Sequence, residues 1–218
     1  MPGADDPSEH KRELRGRLRE RRRRLGASEV ASARESAERH APIAGLRTVA
    51  GYLASEGEIP VDGILLRALR DGASVLLPRM RADGGIDFVA LDGKSAATVL
   101  ASVADGVTPP GFSLGRGGIL EPSGPAVDPS RVALPAAVLV PAVALDRAGR
   151  RLGRGGGAYD RVLGGLRDLG WRAIGVCHSA HLLERVPSEP HDAPVDALLT
   201  DLGLFEVARP APRQGDLD

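Results

Sequence analysis

Three arginines and four glycines lie in one short stretch, Arg150 to Gly157, which follows an apolar run. Glycines let several backbone N–H groups approach a ligand, and guanidinium groups placed around them favour an anion. From Ala158 onward the apolar residues fall at helical spacing, and the N-terminus of a helix also favours phosphate. The stretch therefore predicts a phosphate cradle made of a strand, a glycine loop and a helix.

The same glycines also fit a dinucleotide-binding site. Gly153, Gly155 and Ala158 satisfy the pattern G-x-G-x-x-[G/A], after a predicted strand and before a predicted helix. Three features disfavour this interpretation: the turn that follows Leu145 is long, Arg154 fills the loop, and no acidic residue ends the next strand. An oxidoreductase that uses NAD or NADP through the loop at 153–158 remains an alternative function.

Apolar periodicity predicts the elements that hold this cradle in place. The run at 138–145 is apolar and β-branched enough for a strand that is buried on both faces, and 146–149 carry turn residues that end it. Further strands are predicted at 48–54, 74–77, 86–91, 172–177 and 196–200, the last being the final strand, and helices at 61–69 and 180–186. Strands that alternate with helices predict an α/β fold. Residues 104–136 are rich in Gly and Pro, and we expect a long surface loop that borders the site.

Two helices are expected ahead of the first strand. The segment 11–25 is very basic and carries a thin stripe of leucines, and a second helix is predicted at 28–40. Ser8 is a suitable cap for the first helix. Lys11 and Arg15 stand one helical turn apart, so both can reach the same polyanionic ligand. A solvated charged face would show the same pattern.

Composition limits the class of protein. At 218 residues, of which 42% are hydrophobic, the chain can bury one core, and we expect a single domain at 1–207 and a mobile tail at 208–218. The 29 basic and 29 acidic residues cancel, which argues against nucleic acid as a partner. No apolar run is long enough for a membrane, and the single Cys177 excludes an internal disulfide, so we expect a cytoplasmic protein. Cys177 and His178 are neighbours on a predicted strand and point to opposite faces, which indicates a buried cysteine rather than a nucleophile.

Short motifs surround the glycine loop along the chain. The longest runs from Arg151 to Asp160 and reads Arg-Leu-Gly-Arg-Gly-x-Gly-x-Tyr-Asp. The others lie at Lys11–Arg15, Glu58–Ile59, Leu77–Arg79, Gly118–Pro122 and His191–Asp192. In this order, and over nearly the whole chain, they resemble the 5-formyltetrahydrofolate cyclo-ligase family, also called methenyltetrahydrofolate synthetases. One position departs from the family, because Ala158 stands where many relatives carry an aromatic residue.

This resemblance implies both a fold and a reaction. The implied fold is a three-layer αβα sandwich with a mostly parallel central sheet at 48–207, and a helical hairpin at 8–41 folds over its active site. The implied reaction is ATP- and Mg²⁺-dependent closure of 5-formyltetrahydrofolate to 5,10-methenyltetrahydrofolate, with release of ADP and phosphate. The family also implies a monomer whose partners are ATP and 5-formyltetrahydrofolate.

The resemblance further implies which residues contact ATP. They are Lys11, Arg15, Arg151, Leu152, Gly153, Arg154, Gly155, Gly156, Gly157, Ala158 and Tyr159. Within this set Lys11 and Arg154 are the catalytic candidates, and Arg154 is expected nearest the transferred phosphoryl group. Positioning and charge neutralisation are how such transfers are generally catalysed.

Four other residues match the metal and folate contacts of the family. Asp160 and Asp192 match its Mg²⁺ carboxylates, which are hard oxygen ligands suited to that ion. Leu53 and Glu58 match its folate contacts, where Glu58 accepts hydrogen bonds from the N–H groups of the pterin. A third function remains open besides the ligase and the oxidoreductase, namely a non-catalytic relative that binds RNA or another polyanion through its Arg-rich helix.

Overall fold

The computed structural model describes residues 7–55, 57–91, 93, 96–104, 107–115 and 118–208. The helices are α1 (Pro7–Arg23), α2 (Ala27–His40), α3 (Asp62–Arg70), α4 (Ala96–Ala104) and α5 (Ala158–Asp168). The strands are β1 (Thr48–Ala50), β2 (Ser74–Met80), β3 (Ile86–Ala90), β4 (Phe112–Leu114), β5 (Leu120–Pro122), β6 (Ala136–Pro141), β7 (Ala144–Asp146), β8 (Arg151–Leu152), β9 (Arg172–Val176), β10 (Leu182–Leu183), β11 (Ala197–Thr200) and β12 (Gly203–Glu206). The mobile tail expected at 208–218 lies outside the described residues, apart from Ala208. Among the described helices, none has both the length and the apolar character needed to cross a membrane.

A seven-stranded sheet forms the centre of the molecule, in the order β12-β11-β9-β6-β1-β2-β3. Its five inner strands pair in parallel, and β3 and β12 are antiparallel strands at the two edges. Apolar residues of α2, α3 and α4 pack on one face of the sheet, and those of α5 pack on the other. The expected three-layer αβα sandwich with a mostly parallel sheet is therefore confirmed.

Strand β6 is buried on both faces of the sheet, as its apolar sequence predicts. The single strand predicted at 138–145 is nevertheless wrong, because β6 ends at Pro141 and β7 belongs to a second sheet with the order β10-β7-β8. Pro141 has no N–H to donate, and the ladder with β9 ends with the Ala142 N–H, which donates to the Val176 carbonyl at 3.0 Å. Beyond it, the Val143 N–H donates to the Leu152 carbonyl at 2.7 Å, which brings the chain alongside the strand that precedes the glycine loop.

Helix α1 packs on this smaller sheet through its leucine stripe. Leu14 and Leu18 are buried in a cluster with residues of β7 and β8. The helix begins at Pro7, so Ser8 lies inside it and the predicted cap at Ser8 is wrong. Proline is favoured in a first turn because its fixed φ suits the helix and its missing N–H would have no partner there.

The segment at 180–186 does not form the predicted helix. Ser179–His181 make a single 3-10 turn, and the next two residues form β10, which pairs in parallel with β7. Pairing with β7 requires an extended backbone, so the tertiary context overrides the apolar spacing. The strand predicted at 196–200 is β11, but it is not the last, because Asp201 and Leu202 turn the chain into the antiparallel β12.

The sequence prediction also missed structure between β3 and β6. Helix α4 is almost uniformly apolar or small, so it shows no amphipathic pattern from which a helix could be predicted. The expected long loop at 104–136 is wrong in part, because it contains the β4–β5 hairpin and a 3-10 turn at Pro129–Arg131. Conversely, β1 ends at Ala50, earlier than the predicted strand at 48–54.

Two buried histidines lie near the end of α1. The rings of His178 and His181 meet edge to face, with centroids 6.2 Å apart. Both ring nitrogens of His181 are buried. Burial, the neighbouring His178 and two arginines of α1 lower the pKa of His181 to about 4. The ring is therefore neutral in the folded protein at physiological pH.

We expect acid to destabilise the fold through His181. Its ordinary pKa is 6.5, so below that pH the unfolded chain binds a proton that the folded chain does not take up until about pH 4. The free energy of unfolding should thus fall as the pH is lowered from about 6.5 to about 4. Urea unfolding of the wild type and of His181→Leu tests this, and the variant should lose less stability across the window. Equal pH slopes in the two proteins would contradict the assignment.

Candidate active site

One cavity of about 550 Å³ opens where the parallel strands end. Its walls come from the carboxyl ends of β1, β2 and β6, from α1, and from the glycine loop that precedes α5. This edge is where open α/β sheets bind their ligands. The residues that the family resemblance implies for the site all line the cavity: Lys11, Arg15, Leu53, Glu58, Arg151, Leu152, Gly153, Arg154, Gly155, Gly156, Gly157, Ala158, Tyr159, Asp160 and Asp192. The structure brings them together, and their roles towards ligands stay predictions.

The glycine loop runs from β8 to the N-terminus of α5. Gly157 caps the helix with φ of 64°, in the left-handed region that favours glycine. A Cβ on Gly153 would lie 2.5 Å from an Nη atom of Arg151, so a side chain there would require the Arg151 guanidinium to shift. Arg161 donates to the carbonyls of Gly84 and Gly156 at 2.8 and 2.9 Å and ties the loop to the turn between β2 and β3. The loop is therefore held in a defined shape.

Arg151 and Arg150 take different directions at the start of the loop. The Arg151 side chain is buried in the cavity wall, and its Nη2 donates to Asp160 Oδ1 at 2.6 Å. Arg150 was expected to surround the ligand as well, but its Nε donates to Asp146 Oδ2 at 2.7 Å and it does not line the cavity. Asp146 is fully buried, and a buried carboxylate needs a cationic partner. The expectation for Arg150 is wrong for that reason.

Arg154 crosses from the glycine loop to the other side of the cavity. Its Nε and Nη2 lie 3.1 and 2.9 Å from Glu58 Oε1. Glu58 is buried, and its second oxygen accepts the Ser55 N–H at 3.0 Å. Arg22 of α1 approaches the same Oε1 at 3.6 Å and donates from Nε to the Gly57 carbonyl at 2.9 Å. One carboxylate thus joins the loop to α1.

Helix α1 also reaches the far wall of the cavity. Lys11 Nζ donates to Glu189 Oε2 and to Asp192 Oδ2, each at 2.6 Å, and Arg15 Nε donates to the Gly153 carbonyl at 2.9 Å. Burial lowers the pKa of Lys11, but the hydrogen bonds to the two carboxylates outweigh it and leave the pKa above its ordinary value. Burial raises the pKa of Asp192, but the hydrogen bonds from Lys11 and from the Glu189 N–H lower it by more. The pKa of Asp192 therefore lies below its ordinary value. Both groups are therefore charged at neutral pH.

Comparison with known proteins identifies the family of this chain. The model of the 5-formyltetrahydrofolate cyclo-ligase family matches residues 7–201. The chain belongs to that family. A relative from Mycolicibacterium smegmatis named 5-formyltetrahydrofolate cyclo-ligase is 34% identical over 155 residues, which cover 71% of this chain and 73% of the relative. The relative of the same name from Escherichia coli strain K12 is 27% identical over 165 residues, covering 76% and 84%.

Solved structures agree with the cyclo-ligase assignment. The 5,10-methenyltetrahydrofolate synthetase of Aquifex aeolicus superposes with a TM-score of 0.69 at 26% identity, covering 95% of this chain and 99% of that one. The synthetase from Mycoplasma pneumoniae has the same fold, with a TM-score of 0.65 at 19% identity, and the match covers 88% and 98%. The motif order had predicted a ligase of folate one-carbon metabolism, and this is confirmed. The family match favours the ligase over the oxidoreductase and over the non-catalytic polyanion-binding relative.

Acidic side chains at one end of the cavity offer ligands for a metal ion. Ligand atoms of Glu189, His191 and Asp192 lie within 4.8 Å of one another, and the described residues contain no other group of this kind. Asp160 is not a member of the group, although its Oδ1 accepts the Ala193 N–H at 3.3 Å and so lies beside the same segment. Sequence reasoning missed Glu189 as a site residue. The proximity of Glu189, His191 and Asp192 in the chain was the available signal.

Two further polar residues line the cavity in this cyclo-ligase. The Tyr159 hydroxyl and Glu121 Oε1 are buried and have no hydrogen-bond partner among the described residues. Burial raises the pKa of Tyr159, so its hydroxyl stays protonated and can donate a hydrogen bond. Sequence reasoning did not select Glu121, although it lies in the Gly118–Pro122 motif. Arg22 was not selected as a site residue, although its helical spacing from Lys11 and Arg15 places it on roughly the same face of α1.

Adjacent glycines of the loop provide a matched pair for testing its shape. Gly157→Ala should destabilise the protein by about 1 kcal/mol, because alanine is strained in the left-handed region. Gly156→Ala should be close to neutral, since Gly156 has no positive φ and a Cβ there would meet no atom within 4 Å. Denaturant unfolding of both variants measures the difference. Equal stabilities would mean that Gly157 does not need its left-handed conformation.

Proposed function

We propose that this cavity binds ATP and 5-formyltetrahydrofolate together and forms 5,10-methenyltetrahydrofolate, ADP and phosphate. One observation carries the proposal. A single cavity contains a glycine loop with Arg151 and Arg154 at a helix N-terminus, and it contains the buried carboxylate of Glu58 opposite that loop. The loop with its arginines suits a triphosphate, and the Glu58 carboxylate suits a ring rich in N–H donors. The names of the relatives support the folate substrate and its methenyl product.

The chemistry explains why such a site needs cations rather than a covalent nucleophile. The formyl group is an amide, and its oxygen is a poor leaving group. Transfer of the γ-phosphoryl group from ATP to that oxygen breaks the bond to ADP and gives an iminium phosphate. N10 of the folate then attacks the formyl carbon and loses its proton, the new C–N bond closes the ring, and phosphate leaves. Positioned cations stabilise the charge that develops during the transfer.

We assign the phosphate side of the site to the glycine loop and α1. Arg151 and Arg154, with the N–H groups of the loop, would hold the β- and γ-phosphates, and Arg154 would lie nearest the transferred group. Lys11 and Arg15 would close on the triphosphate from α1. In support, the two side chains of α1 already contact the metal-binding end of the cavity and the Gly153 carbonyl.

We propose Mg²⁺ as the ion that accompanies ATP. The donor set fits it, because carboxylates of Asp160, Asp192 and Glu189 line the same end of the cavity and Mg²⁺ prefers oxygen ligands. Asp160 and Asp192 would hold the ion. When bound, the ion supplies positive charge that neutralises the phosphate oxygens. Lys11 pairs with two of the carboxylates, so its ammonium group would be available to the nucleotide once a cation takes its place.

We place the folate on the opposite side, between the end of β1 and the glycine loop. Leu53 offers an apolar contact there, and Glu58 would accept hydrogen bonds from the pterin. We also propose that the enzyme acts as a monomer, as the family resemblance implies, and that it works in the cytoplasm, which suits a chain whose single Cys177 is buried. Burial raises the pKa of that thiol to about 12, which fits a structural residue.

A direct assay tests the reaction. Folded protein incubated with 5-formyltetrahydrofolate and MgATP should produce the methenyl chromophore and ADP in equal amounts. Arg154→Ala should lower turnover on the order of a hundredfold, because it removes a charge contact to the transition state. Arg147→Ala removes an exposed arginine outside the cavity and should leave turnover close to that of the wild type. Failure of the wild type to form either product would overturn the proposed function.

Two aspartates of α5 provide a matched test of the metal site. Asp160→Asn should raise the Mg²⁺ concentration needed for half-maximal activity by roughly tenfold or more, because it removes one carboxylate ligand. The control is Asp168→Asn. Asp168 lies on the same helix, but it is exposed and outside the cavity, so its substitution should not change the Mg²⁺ requirement. The measurement is a Mg²⁺ titration of initial rates. Identical titration curves for both variants would contradict a ligand role for Asp160.

A further inference from the structure

Glu58 and Arg154 form an ion pair across the cavity. The guanidinium of Arg154 makes its two contacts with a single oxygen of Glu58, at 3.1 and 2.9 Å. The other oxygen of Glu58 is held by the Ser55 N–H at 3.0 Å. The proposed function requires Arg154 at the phosphates and Glu58 at the pterin. Each substrate must therefore compete with this ion pair for its own binding residue.

The two arginines around Glu58 differ in how firmly they are held. The Arg22 side chain is 9% exposed, it donates to the Gly57 carbonyl at 2.9 Å, and it lies on α1, which packs on the smaller sheet. The Arg154 side chain is 43% exposed and extends from the glycine loop. An exposed, flexible side chain can change partners at little cost, whereas a buried and doubly fixed one cannot. Of the two arginines, Arg154 is therefore the one that can break its contact with Glu58.

We propose that the Glu58–Arg154 ion pair is a latch that either substrate opens for the other. The latch rests on the proposed function, because it takes ATP and the folate as the competing ligands. Binding of the folate at Glu58 releases Arg154 to the phosphates, and binding of the phosphates at Arg154 releases Glu58 to the folate. Arg22 stays as the counter-ion, so Glu58 is never left as a buried charge without a partner.

The latch makes binding of the two substrates cooperative. Whichever ligand binds first bears the cost of breaking the ion pair, and the second binds without that cost. Such coupling is reciprocal, because each ligand must tighten the other by the same factor. The wild type should therefore bind an unreactive ATP analogue with Mg²⁺ more tightly in the presence of the folate, by roughly fivefold or more.

A double-mutant cycle on the pair tests the latch by calorimetric titration with the same analogue and no folate. Glu58→Gln should tighten analogue binding by roughly fivefold, because Arg154 loses the partner that holds it away from the phosphates. In the Arg154→Gln background the same change should have no effect. Glu121→Gln is the matched control, since it removes one negative charge from the same cavity without a described contact to Arg154. It should change the affinity far less.

The outcomes separate the latch from a long-range effect of charge. Unchanged or weaker analogue binding by Glu58→Gln would overturn the latch. Tightening that persists in the Arg154→Gln background would also overturn it, because the lost negative charge would then act on the phosphates from a distance. Wild-type protein that binds neither the analogue nor the folate would overturn the proposed function together with the latch. If the wild type binds the analogue and the folate but the double-mutant cycle does not give the affinities expected above, the latch alone is overturned.

A second pair of variants keeps the test decisive if Glu58→Gln folds poorly. Arg154→Gln should tighten binding of the folate in the absence of nucleotide, since Glu58 is then free of the loop. No tightening would overturn the latch. Arg22→Gln should weaken folate binding several-fold, and Arg22→Lys should restore part of it, because lysine keeps the positive charge beside Glu58 but lacks the guanidinium that also donates to the Gly57 carbonyl. Equal folate affinities in these two variants would overturn the part assigned to Arg22.

Discussion

Cations gathered to bind a triphosphate repel one another and lose hydration when they are buried, so each needs a counter-ion within the protein. In this chain carboxylates of the same site are the counter-ions of Lys11, Arg151 and Arg154, whereas Arg15 donates to the Gly153 carbonyl. Lys11 pairs with Glu189 and Asp192, Arg151 pairs with Asp160, and Arg154 pairs with Glu58. The groups proposed for the metal and the folate thus also stabilise the groups proposed for the nucleotide. In our proposal, substrate binding is therefore an exchange of partners.

The fold makes that exchange possible by bringing separate parts of the chain to one edge of the sheet. Strand β6 ends at Pro141 and turns into the smaller sheet, on which the leucine stripe of α1 packs. This packing keeps Lys11 and Arg15 over the cavity and Arg22 beside Glu58, although the helix itself is strongly basic. Apolar contacts fix the position of the helix, and the ion pairs fix its orientation towards the site.

The sequence predicts the parts of this molecule that depend on local pattern. Buried strands, the glycine loop and helix α5 follow from apolar periodicity and from glycine at a helix start, and the order of motifs was enough to predict the family. The sequence does not predict features that depend on tertiary pairing. The apolar segment at 180–186 is partly a strand because β7 lies beside it. Arg22 resembles its neighbours on α1 until the fold brings it to Glu58, and Arg150 turns away only because Asp146 is buried.

The most direct test of this account is a crystal structure of the complex with an unreactive ATP analogue, Mg²⁺ and 5-formyltetrahydrofolate. The exchange of partners predicts that the Arg154 guanidinium contacts phosphate oxygens and lies beyond hydrogen-bond distance of Glu58, that Glu58 accepts N–H groups of the pterin, and that Arg22 keeps its contacts. A complex in which both ligands are bound and the 2.9 Å contact between Arg154 and Glu58 persists would contradict the central claim.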